Sequence, residues 1–156
     1  MTRRNELLKA LEATPRDLAR SIRGIAPPAR GIRPTPDQWS ISDILSHLIA
    51  VETRSLARLQ HVTKEGNPTI STILPDLVYD LSKPLEILLE EFNIARTQTL
   101  QFLHPLSSGN WARAATFEDG QKITFRYLVQ ALVDHDTDHL NQIIETKSQL
   151  GVIQMS

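Results

Sequence analysis

Two histidines four residues apart, His135 and His139, are the residues whose types and spacing most directly suggest chemistry. They lie late in residues 124–150, a segment whose apolar residues recur at helical spacing. A spacing of four places both imidazoles on one face of a helix, about one turn apart, where they can bind a single metal ion. Taken alone, such a pair is also a common structural or solvent-facing feature, and a metal site needs at least a third ligand.

The candidate third ligand is His47, which lies in another segment of helical periodicity. On a helical wheel it falls at the edge of the apolar arc, and His135 and His139 occupy the same kind of edge position on their own helix. Histidines on the rims of two facing helices can converge. Three neutral imidazoles and an open fourth position are the ligand set of a catalytic zinc-type site. Nickel, cobalt, iron and manganese are alternatives, because ligand identity alone does not select the metal.

Polar residues near the histidines have further candidate roles. Asp136 falls inside the apolar arc of its helix, where it would act as a general base or as a hydrogen-bond acceptor for a metal-bound histidine. Glu52 also projects into an apolar arc, where it is either functional or bound to Trp39, Trp111 or a backbone group; we expect it to be structural. Gln142, one turn beyond the histidine pair, could orient a histidine ring or a bound water, but we expect a plain interface hydrogen bond.

Four other basic residues are expected to be peripheral. Arg54 and Arg58 continue the helix face that carries His47, where they would either meet an anionic substrate or form a solvated rim; we expect the rim. His61 lies near a helix end, where the helix dipole favours a cation, and is expected at the surface. His104 precedes a proline and is expected in a loop.

Composition limits the classes of protein to consider. The 156 residues, 40% apolar and 22% charged, are ordinary for a globular protein, and residues 1–156 are expected to form one domain. A net charge of −1 argues against binding nucleic acid through phosphate neutralisation. No stretch resembles a signal peptide or approaches a membrane span, and the absence of cysteine fits a reducing compartment. We therefore expect a cytoplasmic protein that binds neither nucleic acid nor membrane.

Apolar periodicity predicts four helices, over residues 4–23, 40–64, 82–103 and 124–150. Good capping residues support the last three starts, at Ser40, Ser82 and Thr124. Gly151 is expected to end the fourth helix, because glycine is the usual residue just beyond a helix C-terminus.

Prolines and glycines mark the breaks. Pro15 lies inside the first helix and predicts a kink or a restart capped by Thr14. Residues 24–37 hold four prolines and two glycines and predict a non-helical connection. The sequence also predicts a linker with a short helical turn at residues 76–79, and a long connection over residues 104–123 with a short extended pair. Residues 68–81 and 109–123 are expected to frame the mouth of the site. The predicted architecture is an all-α four-helix bundle with two long crossing loops.

These residues resemble the DinB-like (DinB/YfiT) superfamily. The resemblance covers the whole chain and rests on two motifs, Trp39-Ser40-x6-His47-Leu48-x3-Glu52 and His135-Asp136-x2-His139-x2-Gln142-Ile143. It implies that His47, His135 and His139 are the metal ligands. It also implies a four-helix bundle, often homodimeric, that binds zinc, nickel or a related divalent ion.

The resemblance implies several functions. Some members of the superfamily are transferases or isomerases that use a low-molecular-weight thiol, and others are described as metal-dependent hydrolases. We therefore expect a metal-dependent enzyme of the thiol S-transferase or hydrolase type, with a small-molecule substrate. The alternative is a non-catalytic metal-binding or stress-associated bundle that works as a homodimer. A helical dimerisation module without metal is the third hypothesis.

Overall fold

The computed structural model describes residues 3–71 and 82–155. Within them the chain forms five α-helices, α1 (Arg4–Ile22), α2 (Ile41–Lys64), α3 (Leu85–Leu103), α4 (Ser108–Trp111) and α5 (Phe125–Met155). α4 is a single turn, and the other four are the helices of a bundle, so the predicted all-α four-helix bundle is confirmed. Among the described residues, no helix combines the length and hydrophobicity that crossing a membrane requires.

The first two helices of the bundle, α1 and α2, lie diagonally opposite each other. α1 packs against α3 and α5, and α2 packs against the same two helices. α1 and α2 are therefore diagonal to each other, which explains why a long connection joins them. That connection contains a short 3-10 helix, Pro27–Gly31, so the prediction of an entirely non-helical connection is wrong. Pro27 and Pro28 at its start supply the fixed φ that a first helical turn accepts.

Two predicted helix starts are confirmed in atomic detail. The Ser40 hydroxyl accepts a hydrogen bond from the Asp43 N–H, and the Asp43 carboxylate accepts one from the Ser40 N–H. This capping box begins α2. Oγ1 of Thr124 accepts a hydrogen bond from the Tyr127 N–H at 3.2 Å and caps α5 in the same way.

Two other predicted helix ends are wrong. α3 begins at Leu85 rather than beside Ser82, because Pro84 keeps an extended backbone, with φ −60° and ψ 153°, and occupies the capping position. α5 does not stop before Gly151 but continues through it to Met155. A glycine inside a helix costs roughly 1 kcal/mol relative to alanine. Gly151 does not adopt the positive φ that a glycine at a helix C-terminus usually has. The cost of a glycine in helical conformation is too small by itself to end the helix.

α1 runs without interruption through Pro15, so the predicted restart at Thr14 is wrong. Proline has no N–H, and the carbonyl oxygen of Leu11 therefore lacks its usual helical partner. Nη1 of Arg96 on α3 donates a hydrogen bond to that oxygen at 2.8 Å. A side chain from a neighbouring helix thus replaces the hydrogen bond that the proline removes.

A small sheet accompanies the bundle. Its strands are β1 (Thr69–Ile70), β2 (Ala114–Phe117) and β3 (Lys122–Thr124), in the order β1-β2-β3. β2 and β3 pair antiparallel, which confirms the predicted extended pair, and Gly120 in the turn between them has a φ of 92°. β1, which the sequence did not predict, pairs parallel with β2. The helical turn expected at residues 76–79 lies outside the described residues.

The hydrophobic core is divided into two clusters. Along α1, for example, Leu11 belongs to the first cluster and Leu18 to the second. Four buried polar residues lie where the helices pass from one cluster to the other: Thr14, Glu52, Arg96 and Asp136. We call these four residues the polar layer. It crosses the bundle between the two apolar clusters, and each of the four bundle helices contributes one member.

Candidate metal centre

Three histidine side chains converge where α2 and α5 pack together. Nε2 of His135 lies 3.0 Å from Nε2 of His47 and 3.0 Å from Nε2 of His139. One nitrogen from each ring lies within 4.8 Å of the other two, and all three residues are partly buried. Among the described residues this is the one group of three or more His, Cys, Asp or Glu side chains with such spacing. The structure therefore brings together the three histidines that the sequence predicted.

Gln142 determines which nitrogen of His139 carries its proton. Oε1 of Gln142 lies 2.7 Å from Nδ1 of His139, and this carbonyl oxygen can only accept a hydrogen bond. Nδ1 therefore donates, and Nε2 of the neutral ring is left with its lone pair. Donation from the remote nitrogen to such an acceptor is the usual way in which a metal-binding histidine is oriented. The contact therefore fits orientation of a histidine ring rather than the plain interface hydrogen bond that was expected for Gln142.

One proton cannot form hydrogen bonds along both short Nε2–Nε2 contacts at the same time. With the His139 lone pair fixed, a neutral His135 can donate only one proton toward its two neighbours, each 3.0 Å away. A divalent cation, by contrast, accepts lone pairs from all three nitrogens. Zinc–nitrogen bonds of about 2.1 Å place adjacent ligand nitrogens roughly 3.0–3.4 Å apart. The donor set and its spacing therefore fit a divalent metal ion.

The environment of His135 favours the form of the ring that binds metal. Burial lowers the pKa of His135 to about 3, and electrostatic interactions with His139, His47 and Arg96 act in the same direction. The ring is therefore neutral at pH 7, as a metal ligand must be. Nδ1 of His135 is buried and has no hydrogen-bond partner among the described residues.

Trp39 covers one side of the three histidines. The centre of its ring system lies 4.9 Å from that of His47 and 6.1 Å from that of His139, and it is within 5° of parallel to the latter. Because Trp39 directly precedes the capping residue of α2, the helix start fixes its position beside the site. The side chain is 36% exposed, so it separates the imidazoles from solvent on one side only.

The polar layer lies next to this site and is completely hydrogen-bonded around Arg96, which is 1% exposed. Nε and Nη2 donate to Glu52 at 2.9 and 2.8 Å, and Nη1 and Nη2 donate to Asp136, each at 2.9 Å. Together with the bond to the Leu11 carbonyl, each of the five guanidinium N–H groups has one acceptor. Burial alone would lower the pKa of Arg96, but the two carboxylates outweigh it and raise that pKa, so the guanidinium stays charged.

The two carboxylates predicted near the site both belong to the polar layer. Glu52 is structural, as expected, but the predicted partners are wrong. Its carboxylate pairs with Arg96, because the close packing of α2 against α3 brings the two side chains together inside the bundle. Asp136 is 3% exposed, and besides Arg96 its Oδ2 accepts a hydrogen bond from the Thr14 hydroxyl at 2.7 Å. Neither carboxylate has a described contact with a histidine nitrogen, and neither lines a cleft beside the histidines.

Two clefts border the three histidines. The larger, about 590 Å³, is lined by His47 and His135 and extends along α2 and α5 to Phe117 of the β2–β3 hairpin. The smaller, about 280 Å³, is lined by His139 and Trp39 and by residues of the following turns of α5. A small molecule can therefore approach the histidines from two directions.

The other basic residues mostly lie where the sequence predicted. The side chains of His61 and His104 are 43% and 52% exposed, and neither belongs to the histidine group. Arg54 is exposed, as expected of a solvated rim. The same prediction is wrong for Arg58, which is partly buried and lines the larger cleft, because the β2–β3 hairpin covers that part of α2.

Sequence reasoning missed Arg96 and the position of Trp39. Arg96 follows Phe92 by four residues and therefore lies on the buried face of α3. That spacing could have predicted a buried arginine. Two carboxylates on the apolar arcs of other helices already required such a cation. No pattern within the chain indicated that Trp39 would contact two histidines.

The fold is shared with solved structures. YfiT from Bacillus subtilis, described as a probable metal-dependent hydrolase with an unusual four-helix bundle topology, matches with a TM-score of 0.79 at 17% identity, over 95% of this chain and 87% of its own. A conserved protein from Enterococcus faecalis matches with a TM-score of 0.72 at 11% identity, over 96% and 97%. The mycothiol-dependent maleylpyruvate isomerase matches with a TM-score of 0.64 at 12% identity, over 91% of this chain and 61% of its own. Identities this low show a common fold.

Sequence comparison defines the family. A search of curated protein sequences gave no match. The family profile of the DinB superfamily, however, matches residues 4–143, which is most of the chain and includes the three histidines. The chain therefore belongs to the DinB superfamily.

Proposed function

We propose that this protein is a metal-dependent enzyme in which His47, His135 and His139 hold a divalent ion, zinc or nickel. The convergence of the three Nε2 atoms carries the proposal, with two of the three pairs 3.0 Å apart. Three imidazoles leave coordination positions for water or substrate, as in catalytic rather than structural zinc sites. Iron, cobalt and manganese also accept imidazole ligands, so the native metal is a matter for measurement.

The proposed reaction is S-transfer from a low-molecular-weight thiol, or hydrolysis. When bound, a divalent ion would lower the pKa of a coordinated thiol or water and supply the nucleophile that this cysteine-free chain lacks. The description of YfiT as a probable metal-dependent hydrolase and the mycothiol dependence of the maleylpyruvate isomerase support these two reaction types. The larger cleft offers space for a small-molecule substrate beside His47 and His135.

The neighbouring residues orient and shield the site in this proposal. Gln142 holds His139 with its Nε2 lone pair toward the other imidazoles, and Trp39 limits the access of water on one side. Asp136 was expected to act as a general base, but both of its oxygens accept hydrogen bonds inside the bundle. A base needs a lone pair that the substrate can reach. We therefore propose that Asp136 is a positioning residue, which anchors the helix that carries His135.

The test of metal binding compares purified wild-type protein with two variants. Elemental analysis should find about one equivalent of divalent metal per chain in the wild type. The double variant His135→Ala/His139→Ala should lose it. The variant His61→Ala is the matched control, because it removes a histidine from the helix of His47 but outside the group, and it should keep the metal. Equal, near-zero metal in all three proteins would contradict the proposal.

The test of catalysis uses the metal-loaded protein. Transfer of several low-molecular-weight thiols to an electrophile, and hydrolysis of simple esters, should proceed with the wild type and stop after chelation and in the double variant. Turnover that persists without metal would contradict the mechanism. A metal-loaded protein without turnover in either assay would instead support the non-catalytic metal-binding bundle.

We also propose that the protein is a homodimer, as the family resemblance implies, and that it is cytoplasmic. The absence of cysteine supports a reducing compartment. Ile87 and Ile94, seven residues apart on α3, are 46% and 55% exposed, which leaves apolar surface on that helix for a second copy. Light scattering coupled to gel filtration should give twice the chain mass, and Ile94→Lys should shift it toward the monomer. A monomeric wild type would contradict the dimer.

A further inference from the structure

The larger cleft contains a positive charge that the proposed metal chemistry does not use. Arg58 lies on α2 eleven residues after His47, and both side chains line the cleft. Eleven residues are three helical turns, so the two residues share one face of α2 and are separated by roughly 16 Å along the helix axis. The histidines therefore lie at one end of the cleft and Arg58 at the other.

Arg58 has no carboxylate partner among the described residues. Its Nη1 donates to the backbone oxygen of Ser71 at 3.0 Å, and the guanidinium carbon lies 5.8 Å from the centre of the Phe117 ring. Asp119, the one carboxylate among the described residues that line the cleft, instead accepts a hydrogen bond from the Gln121 N–H at 2.9 Å. Burial lowers the pKa of Arg58, as expected for a cation that is partly removed from water without a counter-ion.

The surface between the two ends of the cleft is mainly apolar. Val51 on α2 and Leu128, Ala131 and Leu132 on α5 line this part of the cleft. Of these, Val51, Leu128 and Leu132 are buried in the hydrophobic core and present only their outer atoms to the cleft. A ligand that fits this surface has an apolar middle between two polar ends.

We propose that the molecule bound in this cleft carries a carboxylate that pairs with Arg58, while its opposite end reaches the three histidines. This inference rests on the proposed function, because it assigns the histidine end to the reacting group. Guanidinium N–H groups that Ser71 does not occupy form a planar fork, which suits a carboxylate. Arg58 is then a specificity-determining residue, and a compound without the carboxylate binds more weakly.

The test uses cobalt-loaded protein, in which a bound thiolate gives a charge-transfer absorption band. The probes are mercapto acids of increasing chain length, each paired with the mercapto alcohol of the same length. At the length that spans the cleft, the acid should bind about 10-fold more tightly than the alcohol. Arg58→Gln should abolish this preference, and Arg58→Lys, which keeps the charge, should retain part of it. A parallel series with a hydroxamate in place of the thiol shows whether the carboxylate belongs to a thiol or to an oxygen-bound substrate.

The matched control is Arg54→Gln, which removes the same charge from an exposed position one turn earlier on α2 and should leave the preference unchanged. Arg58 could instead have only a structural role, through its hydrogen bond to the backbone of Ser71. In that case its variants lower the melting temperature but leave the ratio of acid to alcohol affinities unchanged, and this result overturns the inference. An absence of acid preference at every length in the wild type also overturns it. If no thiol or hydroxamate changes the cobalt spectrum, the proposed function itself fails, and the inference fails with it.

Discussion

The polar layer and the three histidines lie side by side where α2 and α5 pack together, yet they differ in how their polar atoms are paired. In the polar layer every guanidinium N–H of Arg96 has an acceptor, and both carboxylates are almost completely excluded from solvent. At the histidines, three Nε2 atoms converge, one proton on His135 cannot satisfy both of its 3.0 Å contacts, and two clefts reach the rings. In the polar layer, protein groups alone satisfy the hydrogen-bonding atoms of Arg96 and of both carboxylates. At the histidines, the arrangement of the ring nitrogens suits a bound cation.

This contrast implies that the polar layer contributes mainly to the stability of the fold, whereas the histidines contribute mainly to the chemistry of the site. A fully paired buried charge group holds four helices in one register, and removing one member leaves charges that the interior cannot solvate. A partly exposed imidazole group can be altered without unpaired charge in the core. Variants in the polar layer should therefore lower the free energy of unfolding strongly, whereas variants at the histidines should mainly change metal binding.

The largest effect is expected for Arg96→Met, which leaves the carboxylates of Glu52 and Asp136 buried without a cation. We expect the free energy of unfolding to fall by about 3–5 kcal/mol, a large fraction of the total for a typical domain. Urea unfolding of the metal-free protein measures it. The comparison variant is His135→Ala, for which a loss of about 1 kcal/mol or less is expected. Equal losses in the two variants would show that the two regions do not differ as described.

A smaller effect is expected for Gln142→Ala, which removes the acceptor that orients His139. The affinity for zinc should fall about 10-fold, since partners of metal-binding histidines typically contribute that much. Competition with a chromophoric chelator measures the affinity. Gln149→Ala is the control, because Gln149 lines the same smaller cleft without a described contact to a histidine. Equal zinc affinities of the Gln142 and Gln149 variants would show that Gln142 does not orient His139 for metal binding.

The smallest effect concerns pH and the metal-free protein. His135 has a pKa of about 3 in the folded chain and an ordinary value of 6.5 when unfolded. Between these values the unfolded chain binds a proton that the folded chain does not, so stability is complete above pH 6.5 and decreases as the pH falls below it. Because the ring is partly exposed, the expected loss between about pH 7 and 5 is on the order of 1 kcal/mol. Urea unfolding of His135→Gln should show a decline shallower by that amount. Identical pH profiles would contradict it.

The histidines could be predicted in two steps. Periodicity placed His135 and His139 on one face of a helix and His47 on the rim of another apolar face, so that the three could converge. The family resemblance then implied that they form one group, and the structure brings them together. The contact between Gln142 and His139 could also have been predicted from spacing, since the two residues lie about one turn apart on one helix.

The polar layer was not predicted because its information is distributed over four helices. Glu52 and Asp136 were both expected inside apolar arcs, but their partner is Arg96 on α3. The restart predicted at Thr14 was wrong for the same reason, since Arg96 also binds the Leu11 carbonyl that the proline leaves without its helical partner. Periodicity identifies the buried face of each helix, whereas only the packing of all four helices determines which polar atoms meet.

The most direct test of the metal centre is X-ray absorption spectroscopy of the zinc-loaded protein. We expect three imidazole nitrogens at about 2.0–2.1 Å and one fewer imidazole in His47→Ala, the variant that removes the one ligand α2 contributes. Glu52→Gln, on the same helix but in the polar layer, should leave the zinc environment of the folded protein unchanged. A zinc ion coordinated mainly by carboxylate oxygen, or a spectrum that does not change in His47→Ala, would contradict the assignment of these three histidines as the metal site.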